Sequence, residues 1–319
     1  MTARTSNTAV VPILMASVVC AAVSNTIVRR IALVPLKHYP YLLTQMQGLI
    51  YALVYGSILL HRIRDGAVTA EMLRIPKRPF LWIGFWDSLG DILGNIGTSH
   101  LPGYQTPLLA KLNIIFTAVF STWILKKAYS LSQVGAMAVV LCGSVVSILP
   151  SVWGQMHLAE GGGRESASTT SSLFYVGVYV ASVAPTALAF VLKEEIFECH
   201  RRLNLDIFVV NTYGSIVSLA FTILLLPLAS VPGIGEVPLR ELATYTRNGL
   251  QCFTGNDPTP ADDCTGSPLA PLLYFCINVT YNIFILALVK QGGALLTFLT
   301  NTGECLVIIA KATGSLCRD

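Results

Sequence analysis

Long apolar stretches separated by short polar loops follow one another along nearly the whole chain. A transmembrane helix needs about 20 consecutive, mainly apolar residues. Nine stretches meet this requirement, near residues 9–28, 41–60, 80–98, 105–125, 131–149, 173–192, 207–228, 269–289 and 294–310. The first ends in Arg29 and Arg30 without a small-residue cleavage site, so we interpret it as a helix and not as a signal peptide. The pattern predicts an all-α, polytopic membrane protein.

Composition agrees with this prediction and adds an orientation. Of the 319 residues, 53% are hydrophobic and 12% are charged, whereas soluble domains carry about 25% charged residues. Most Lys and Arg residues lie in short loops, so the formal net charge of +4 does not indicate a nucleic-acid partner. Loops on the side of the N-terminus, such as 62–79 and 193–206, hold about twice as many basic residues as the others, which predicts a cytosolic N-terminus.

A Gly/Ser-rich segment divides the predicted spans into two groups. Residues 159–172 have the composition of a flexible linker, and they separate a first half, residues 1–158, from a second half, residues 173–319. A unit of five helices has an odd number of crossings, so a second copy would insert upside down, with a binding site between the two copies. Nine spans leave the second half one helix short of this arrangement.

The third predicted span carries a stripe of polar side chains. Asp87, Asp91 and Asn95 are spaced four residues apart, so they share one helix face. A charged residue within a span costs about 2.5–3.5 kcal/mol and indicates a functional site by default. Lys111, in the antiparallel fourth span, lies at a similar predicted depth, and we therefore expect an Asp91–Lys111 ion pair. The alternative is a pair that only holds two helices together.

Other polar residues within the predicted spans are weaker candidates, since most such side chains only form hydrogen bonds between helices. They could line a cavity together with the acidic stripe. Gly90 and Gly94 form a small-residue face that favours close helix packing. The additional candidates are Asn25, Thr26, Gln45, Gln47, Asn113, Asn278 and Asn282.

Two of the eight cysteines lie in the same predicted non-cytosolic loop. Cys252 and Cys264 could form a disulfide in an oxidising compartment, and the alternative is two free thiols. No histidine accompanies them, so the loop does not predict a zinc site. The chain also lacks the short motifs of nucleophilic, phosphate-binding or metal-dependent enzymes. We therefore expect no enzyme activity, no metal and no cofactor.

Several segments resemble the chloroquine-resistance-transporter-like family, and most closely its plant branch of plastid-envelope thiol transporters. They are IALVPLKHYPYLLTQMQ, LPGYQTPLLAKLNIIF, LDIFVVNTYGS, LATYTRNGLQCF and PLLYFCINVTYNIFILALVK. The resemblance implies the drug/metabolite-transporter fold, with two inverted five-helix halves around a central cavity. It also implies glutathione or γ-glutamylcysteine as substrates, a plastid-envelope location, and a lumenal loop whose cysteines match Cys252 and Cys264.

The chain departs from the family pattern at both ends. From Asn301 the tail no longer resembles the family, with Glu304 and Lys311 where an apolar span should continue, and no transit peptide is visible. We expect a secondary transporter of small organic solutes in the lipid bilayer, with Lys111 as counter-ion of an anionic substrate and Asp91 as its proton-sensitive partner. The alternatives are a non-transporting truncated isoform or scaffold, and a proton-coupled exporter of cationic peptides and drugs in a vacuolar or endolysosomal membrane.

Overall fold

The chain folds into a bundle of helices. The structure, a computed structural model, describes residues 10–101, 105–160, 165–230, 239–260 and 262–303. Within these ranges there are helices and turns but no strands, so the predicted all-α class is confirmed. The helices are α1 (Val10–Leu33), α2 (Pro40–Arg64), α3 (Ala70–Leu73), α4 (Arg78–His100), α5 (Gln105–Leu109), α6 (Asn113–Ile124), α7 (Leu131–Glu160), α8 (Glu165–Cys199), α9 (Ile207–Leu224), α10 (Leu242–Phe253), α11 (Leu269–Gly292) and α12 (294–303).

Six helical segments of the described chain are long and apolar enough to cross a membrane. They are Val10–Leu33, Tyr41–Arg64, Gln105–Ile124, Phe174–Cys199, Ile207–Leu224 and Leu269–Gly292. The protein is therefore a polytopic, all-α membrane protein. The other three predicted spans correspond to α4, α7 and α12. Helix α4 has the required length, with 23 residues, but Asp87, Asp91 and other polar residues reduce its mean hydropathy. Nine spans in two inverted halves therefore stay a prediction.

The most extensive helix contacts join the first predicted half to the second. Helix α4 packs against α8 and α9, α1 against α11, and α2 against α9. Helix α6, reached through a 3₁₀ turn at Ala110–Leu112, packs against α8. Helices that follow one another in the sequence are thus often separated by a helix from the other half. Any space at the centre of the bundle is bordered by both halves.

The predicted linker is largely helical where the structure describes it. Helix α7 continues to Glu160 and α8 begins at Glu165, while residues 161–164 lie outside the described ranges. The apolar run of the fifth span therefore continues as helix into the Gly/Ser-rich segment. The boundaries at 158 and 173 remain predictions.

Apolar cores mark the two ends of the bundle. At the end where α1 begins, here called the N-terminal face, one large core contains Leu59, Phe80, Ile196, Leu205 and Val289 from α2, α4, α8, α11 and the segment before α9. At the opposite end, the disulfide face, a smaller core is built from α1, α2, α10, α11 and the adjoining loops. Its members include Leu36, Tyr39, Leu42, Cys252, Cys264 and Tyr274.

Glycines let α4 approach its neighbours closely. A Cβ atom on Gly84 would lie 2.5 Å from Val217 Cγ1 and 2.8 Å from the backbone nitrogen of Ser218. A Cβ atom on Gly90 would lie 2.4 Å from Thr186 Oγ1, and one on Gly97 would lie 2.7 Å from Tyr179 Cβ. The small-residue face predicted from Gly90 and Gly94 is therefore the contact with α8, and Gly84 adds a similar contact with α9.

We predict that Gly84→Ala destabilises the bundle by about 1–3 kcal/mol, because the added methyl group meets backbone as well as side-chain atoms of α9. Gly56→Ala on α2 is the matched control, since nothing lies within 4 Å of a Cβ atom there. Thermal unfolding of both variants in detergent micelles measures the difference. Equal melting temperatures for the two variants would contradict the close packing of α4 on α9.

Candidate functional site

A cavity of about 660 Å³ lies at the centre of the bundle, bordered by α1, α2, α4, α8, α9, α11, α12 and the turn between α5 and α6. Its volume lies within the range of about 300–1,000 Å³ that is usual for small-molecule sites. Val210 and Ile285 belong both to its wall and to the apolar core of the N-terminal face. That core therefore forms the cavity floor.

Most of the side chains singled out in the sequence line this cavity. They are Asn25, Thr26, Gln47, Asp87, Asp91, Asn95, Lys111, Asn113, Asn278 and Asn282. Gln45 does not belong to the lining. Two residues along a helix correspond to a rotation of about 200°, so Gln45 and Gln47 cannot share a face, and Gln47 is the one that faces the cavity together with Tyr51 and Tyr55.

Asp87 forms an ion pair with a lysine of the other half. Lys193 Nζ on α8 lies 2.6 Å from Asp87 Oδ2, and the two side chains are 14% and 20% exposed. The sequence places Lys193 in a loop because the apolar run ends at Leu192, but α8 continues to Cys199. Removing one partner of such a poorly exposed pair is costly, because the other charge stays in place without compensation.

Arg29 connects three helices at the cavity wall. Its Nη2 donates to Asn95 Oδ1, and Asn95 Nδ2 in turn donates to Thr44 Oγ1 at 2.7 Å. Helices α1, α4 and α2 are thereby joined. Arg29 forms no ion pair with a carboxylate in the part of the chain that the structure describes, so its charge is available to the cavity.

The predicted ion pair between Asp91 and Lys111 is wrong. Lys111 is 6% exposed and its Nζ donates to the backbone carbonyl of Asn301 on α12 at 2.9 Å. The prediction assumed that consecutive spans are neighbours, whereas α6 packs against α8 and α4 lies on the other side, between α8 and α9. Lys111 therefore connects the α5–α6 turn to α12.

Asp91 is the exposed carboxylate of the cavity. The structure gives it no hydrogen bond and no ion pair with any described residue. The charged groups that act on it are the Asp87 carboxylate and the cations Arg29 and Lys193. Asp91 thus lies in a wall of mixed charge and has no hydrogen-bond or ion-pair partner among the described residues.

Amide and phenol groups form a connected network on the wall made by α1, α2 and α11. Tyr51 donates from its hydroxyl to Asn278 Oδ1, and Asn278 Nδ2 donates to Asn25 Oδ1 at 2.8 Å. Asn282 Nδ2 donates to the Tyr51 hydroxyl at 2.6 Å. Tyr51 was not among the sequence candidates, although its four-residue spacing from Gln47 and Tyr55 was a usable signal. The network fixes the side chains of this wall relative to one another.

Two further carboxylates lie near the N-terminal face. Glu194, which is 3% exposed, is paired with Lys127 and accepts from the backbone nitrogen of Ala294 at 2.9 Å, at the start of α12. Asp206 is bound by Arg62 Nε at 2.8 Å and caps α9 by accepting from the backbone nitrogen of Phe208 at 2.8 Å. Together with the apolar core they close the bundle at this face.

Comparison with known proteins shows which family the chain belongs to. The family model described as CRT-like, chloroquine-resistance transporter-like, matches residues 11–309. The chain belongs to the CRT-like family. The match continues past Asn301 to residue 309. The prediction that the tail departs from the family after about Asn301 is therefore wrong for residues 301–309.

Curated relatives come from plants and protists. The chain is 35% identical to protein CLT2, chloroplastic, of Arabidopsis thaliana over 89% of this chain and 64% of the relative. It is 34% identical to protein CLT3, chloroplastic, of the same plant over 88% of this chain and 60% of the relative. The chloroquine resistance transporter of Toxoplasma gondii is 29% identical over 87% of this chain and 32% of that protein. The chain thus spans about three fifths of the length of the Arabidopsis relatives.

The disulfide face of this CRT-like chain is held by covalent and polar contacts. A disulfide joins Cys252 at the end of α10 to Cys264, the two cysteines considered as partners from the sequence. Among the described residues, α4, α8 and α9 contribute no side chain to the core at this face, although all three pack into the core at the N-terminal face. Apolar packing therefore connects α4, α8 and α9 to the other helices more completely at the N-terminal face than at the disulfide face.

Asp262 anchors the disulfide loop to the start of α2. Its carboxylate lies 2.7 Å from His38 Nδ1 and accepts from the hydroxyls of Tyr39 at 2.9 Å and Thr259 at 2.6 Å. Burial and the bond to Asp262 raise the pKa of Tyr39 to about 12, so the phenol stays protonated. Burial alone would raise the pKa of Asp262, but the hydrogen bonds from Thr259, His38 and Tyr39 lower it below its usual value.

We predict that Asp262→Asn lowers the stability of the chain at neutral pH, and that this difference shrinks in acid. A carboxylate whose folded-state pKa is depressed stabilises the fold above its unfolded pKa, and this contribution is lost as pH falls through the folded pKa. The window therefore lies below the usual value of about 4. Melting temperatures between pH 7 and pH 3 measure the effect.

The matched comparison is Asp263→Asn in the same loop, because Asp263 is exposed and, within the described ranges, bonds only to the nearby Thr265. We expect it to lower the melting temperature at pH 7 less than Asp262→Asn does, because its hydrogen bonds stay within the loop. The hydrogen bonds from Thr265 also lower the pKa of Asp263, so this smaller difference should shrink in acid too. An Asp262→Asn variant as stable as the unchanged chain at pH 7 would show that this anchor contributes nothing.

Proposed function

We propose that this chain transports small organic solutes across a membrane by alternating access, with the central cavity as the binding site. The observation that carries the proposal is the position of the cavity: polar and charged groups of both predicted halves meet inside a bundle of membrane-spanning helices. Ionisable residues within spans usually mark substrate or ion pathways, and transporter sites typically lie between two repeats near the middle of the membrane. Membership of the CRT-like family supports the same function.

We propose glutathione, γ-glutamylcysteine and similar peptides as the solutes. The described lining contains four basic side chains, Arg29, Arg30, Lys111 and Lys193, and two acidic ones, Asp87 and Asp91. An excess of positive charge in a low-dielectric site attracts anions and disfavours cations. This balance supports net-anionic peptides and speaks against export of cationic drugs, even though a relative is named a chloroquine resistance transporter.

The plastid envelope is the proposed location. Support comes from the Arabidopsis relatives, whose names describe them as chloroplastic. The excess of basic residues in loops on the side of the N-terminus supports a cytosolic N-terminus. Imaging of the tagged natural gene product in plant cells tests this location, and a signal confined to the vacuolar membrane would overturn it.

The closed N-terminal face supports a transport cycle. The apolar core and the ion pairs of Glu194 and Asp206 block passage from the cavity to that face, while the core at the disulfide face leaves out α4, α8 and α9. We propose that the transport cycle alternates between a state closed at the N-terminal face and a state closed at the disulfide face. Rocking of the two halves around a fixed binding site requires such an alternation.

Uptake of radiolabelled glutathione into proteoliposomes containing the chain tests the function. We expect uptake above that of protein-free liposomes, inhibited by γ-glutamylcysteine and not by a cationic peptide of similar size. Arg29→Gln should reduce uptake about tenfold or more, because a charge-assisted contact to a carboxylate is lost.

Arg64→Gln is the matched control, since Arg64 is exposed on the N-terminal face and does not line the cavity; its uptake should be unchanged. Uptake no greater than in empty liposomes would overturn the proposed solute. An Arg29→Gln variant with full uptake would remove Arg29 from the binding site.

A further inference from the structure

The charged groups of the cavity wall differ in how far the protein neutralises them. Asp87 is paired with Lys193 at 2.6 Å, and Lys111 is directed to the carbonyl of Asn301 at 2.9 Å. Among the residues that the structure describes, Arg29 is bound only to the neutral amide of Asn95. Asp91, although exposed to the cavity, has no hydrogen bond or ion pair within the described ranges. Lys111 is also bound to a neutral group, but it is only 6% exposed. Among these groups, Asp91 and Arg29 are therefore the ones that a ligand can reach and neutralise.

The carboxylate of Asp91 and the guanidinium of Arg29 lie close together beside one face of α4, although Arg29 itself belongs to α1. Asp91 is four residues from Asp87 and four from Asn95, so the three side chains follow one another at about 6 Å intervals along the helix axis. Arg29 is attached to Asn95, which places its guanidinium about one helical turn from Asp91. Lys193 acts on Asp91 electrostatically but cannot neutralise it fully, because its ammonium group is already bound to Asp87.

Both groups gain by binding a ligand of the opposite charge. A carboxylate in a poorly solvated cavity is costly unless it is paired, and a charge-assisted hydrogen bond from an ammonium group is a strong compensation. A guanidinium binds a carboxylate through two parallel hydrogen bonds. A solute with an ammonium group and a carboxylate close together satisfies Asp91 and Arg29 at the same time.

We propose that Asp91 and Arg29 form an amino-acid clamp, in which Asp91 binds the ammonium group and Arg29 the carboxylate of an amphoteric solute. This assignment rests on the proposed transport function and deepens it. It makes Asp91 the residue that determines specificity for a free amino group. Solutes that carry the same carboxylates but a blocked amine then bind more weakly, since their amide nitrogen brings no charge to Asp91.

Competition binding on the purified chain in detergent tests the clamp. The probes are glutathione and N-acetylglutathione, which differ only in the amine. We expect N-acetylation to weaken binding to the unchanged chain by about tenfold or more. In Asp91→Asn, an isosteric change, glutathione should lose this advantage, so that the two peptides bind within about twofold of each other.

Two variants control the experiment. Asp91→Glu keeps the charge and should retain a preference for the free amine, and Asp65→Asn removes an exposed carboxylate outside the cavity and should behave like the unchanged chain. Melting temperatures verify that each variant is folded. Equal affinity of the unchanged chain for both peptides, or a preference that persists in Asp91→Asn, would overturn the clamp.

Failure of the proposed function is recognised separately. If the unchanged chain binds neither glutathione nor its N-acetyl derivative, the proposed solute is wrong, and the clamp is then decided by the same comparison with alanyl-glutamate and N-acetyl-alanyl-glutamate. A preference for the free dipeptide that disappears in Asp91→Asn supports the clamp without glutathione. Absence of binding by this pair as well overturns it.

Discussion

The packing of α4 depends on one constraint: its two carboxylates must face a polar space inside an otherwise apolar bundle. An ionised carboxylate in an apolar environment is costly unless it is paired or hydrated, and Asp87 and Asp91 lie on the same face of α4. That face must point inward, which places α4 at the centre of the bundle between α8 and α9. Gly84 and Gly90 make this central position possible, because any side chain there would meet Val217 or Thr186. The cavity lies on the remaining, polar face.

Local patterns predicted which faces of the helices are polar, and non-local contacts decided their partners. The stripe of Asp87, Asp91 and Asn95 lines the cavity because a four-residue period fixes a helix face irrespective of the neighbours. The partner of Asp87 could not be read in the same way, since Lys193 follows it by 106 residues and is brought near by the packing of α8 on α4. Lys193 and Arg29 also lie where apolar runs end, so composition assigns them to loops.

The two ends of the bundle are held by different kinds of interaction. The N-terminal face combines a large apolar core with ion pairs in which the carboxylate is buried and the cation is partly exposed, and its core takes side chains from both halves of the chain. The disulfide face relies on a covalent bond, a hydrogen-bonded carboxylate and a smaller core around α10. Glu194 and Asp206 are 3% and 9% exposed, and each would lose its cation if the helices separated at the N-terminal face. Separation of the helices at this face therefore leaves two buried carboxylates unpaired, a cost that adds to the exposure of the apolar core.

Glu194 of α8 fixes the position at which α12 begins. The carboxylate accepts from the first backbone nitrogen of α12, and Gly293, with φ of +88°, brings the chain so near that a Cβ atom would lie 2.3 Å from Glu194 Oε1. Farther along α12, the carbonyl of Asn301 holds Lys111 of the α5–α6 turn. Helix α12 thus has polar contacts at two levels, one with α8 and one with the α5–α6 turn. Because the turn and α6 also pack against α8, a displacement of α8 acts on Lys111 both directly and through α12.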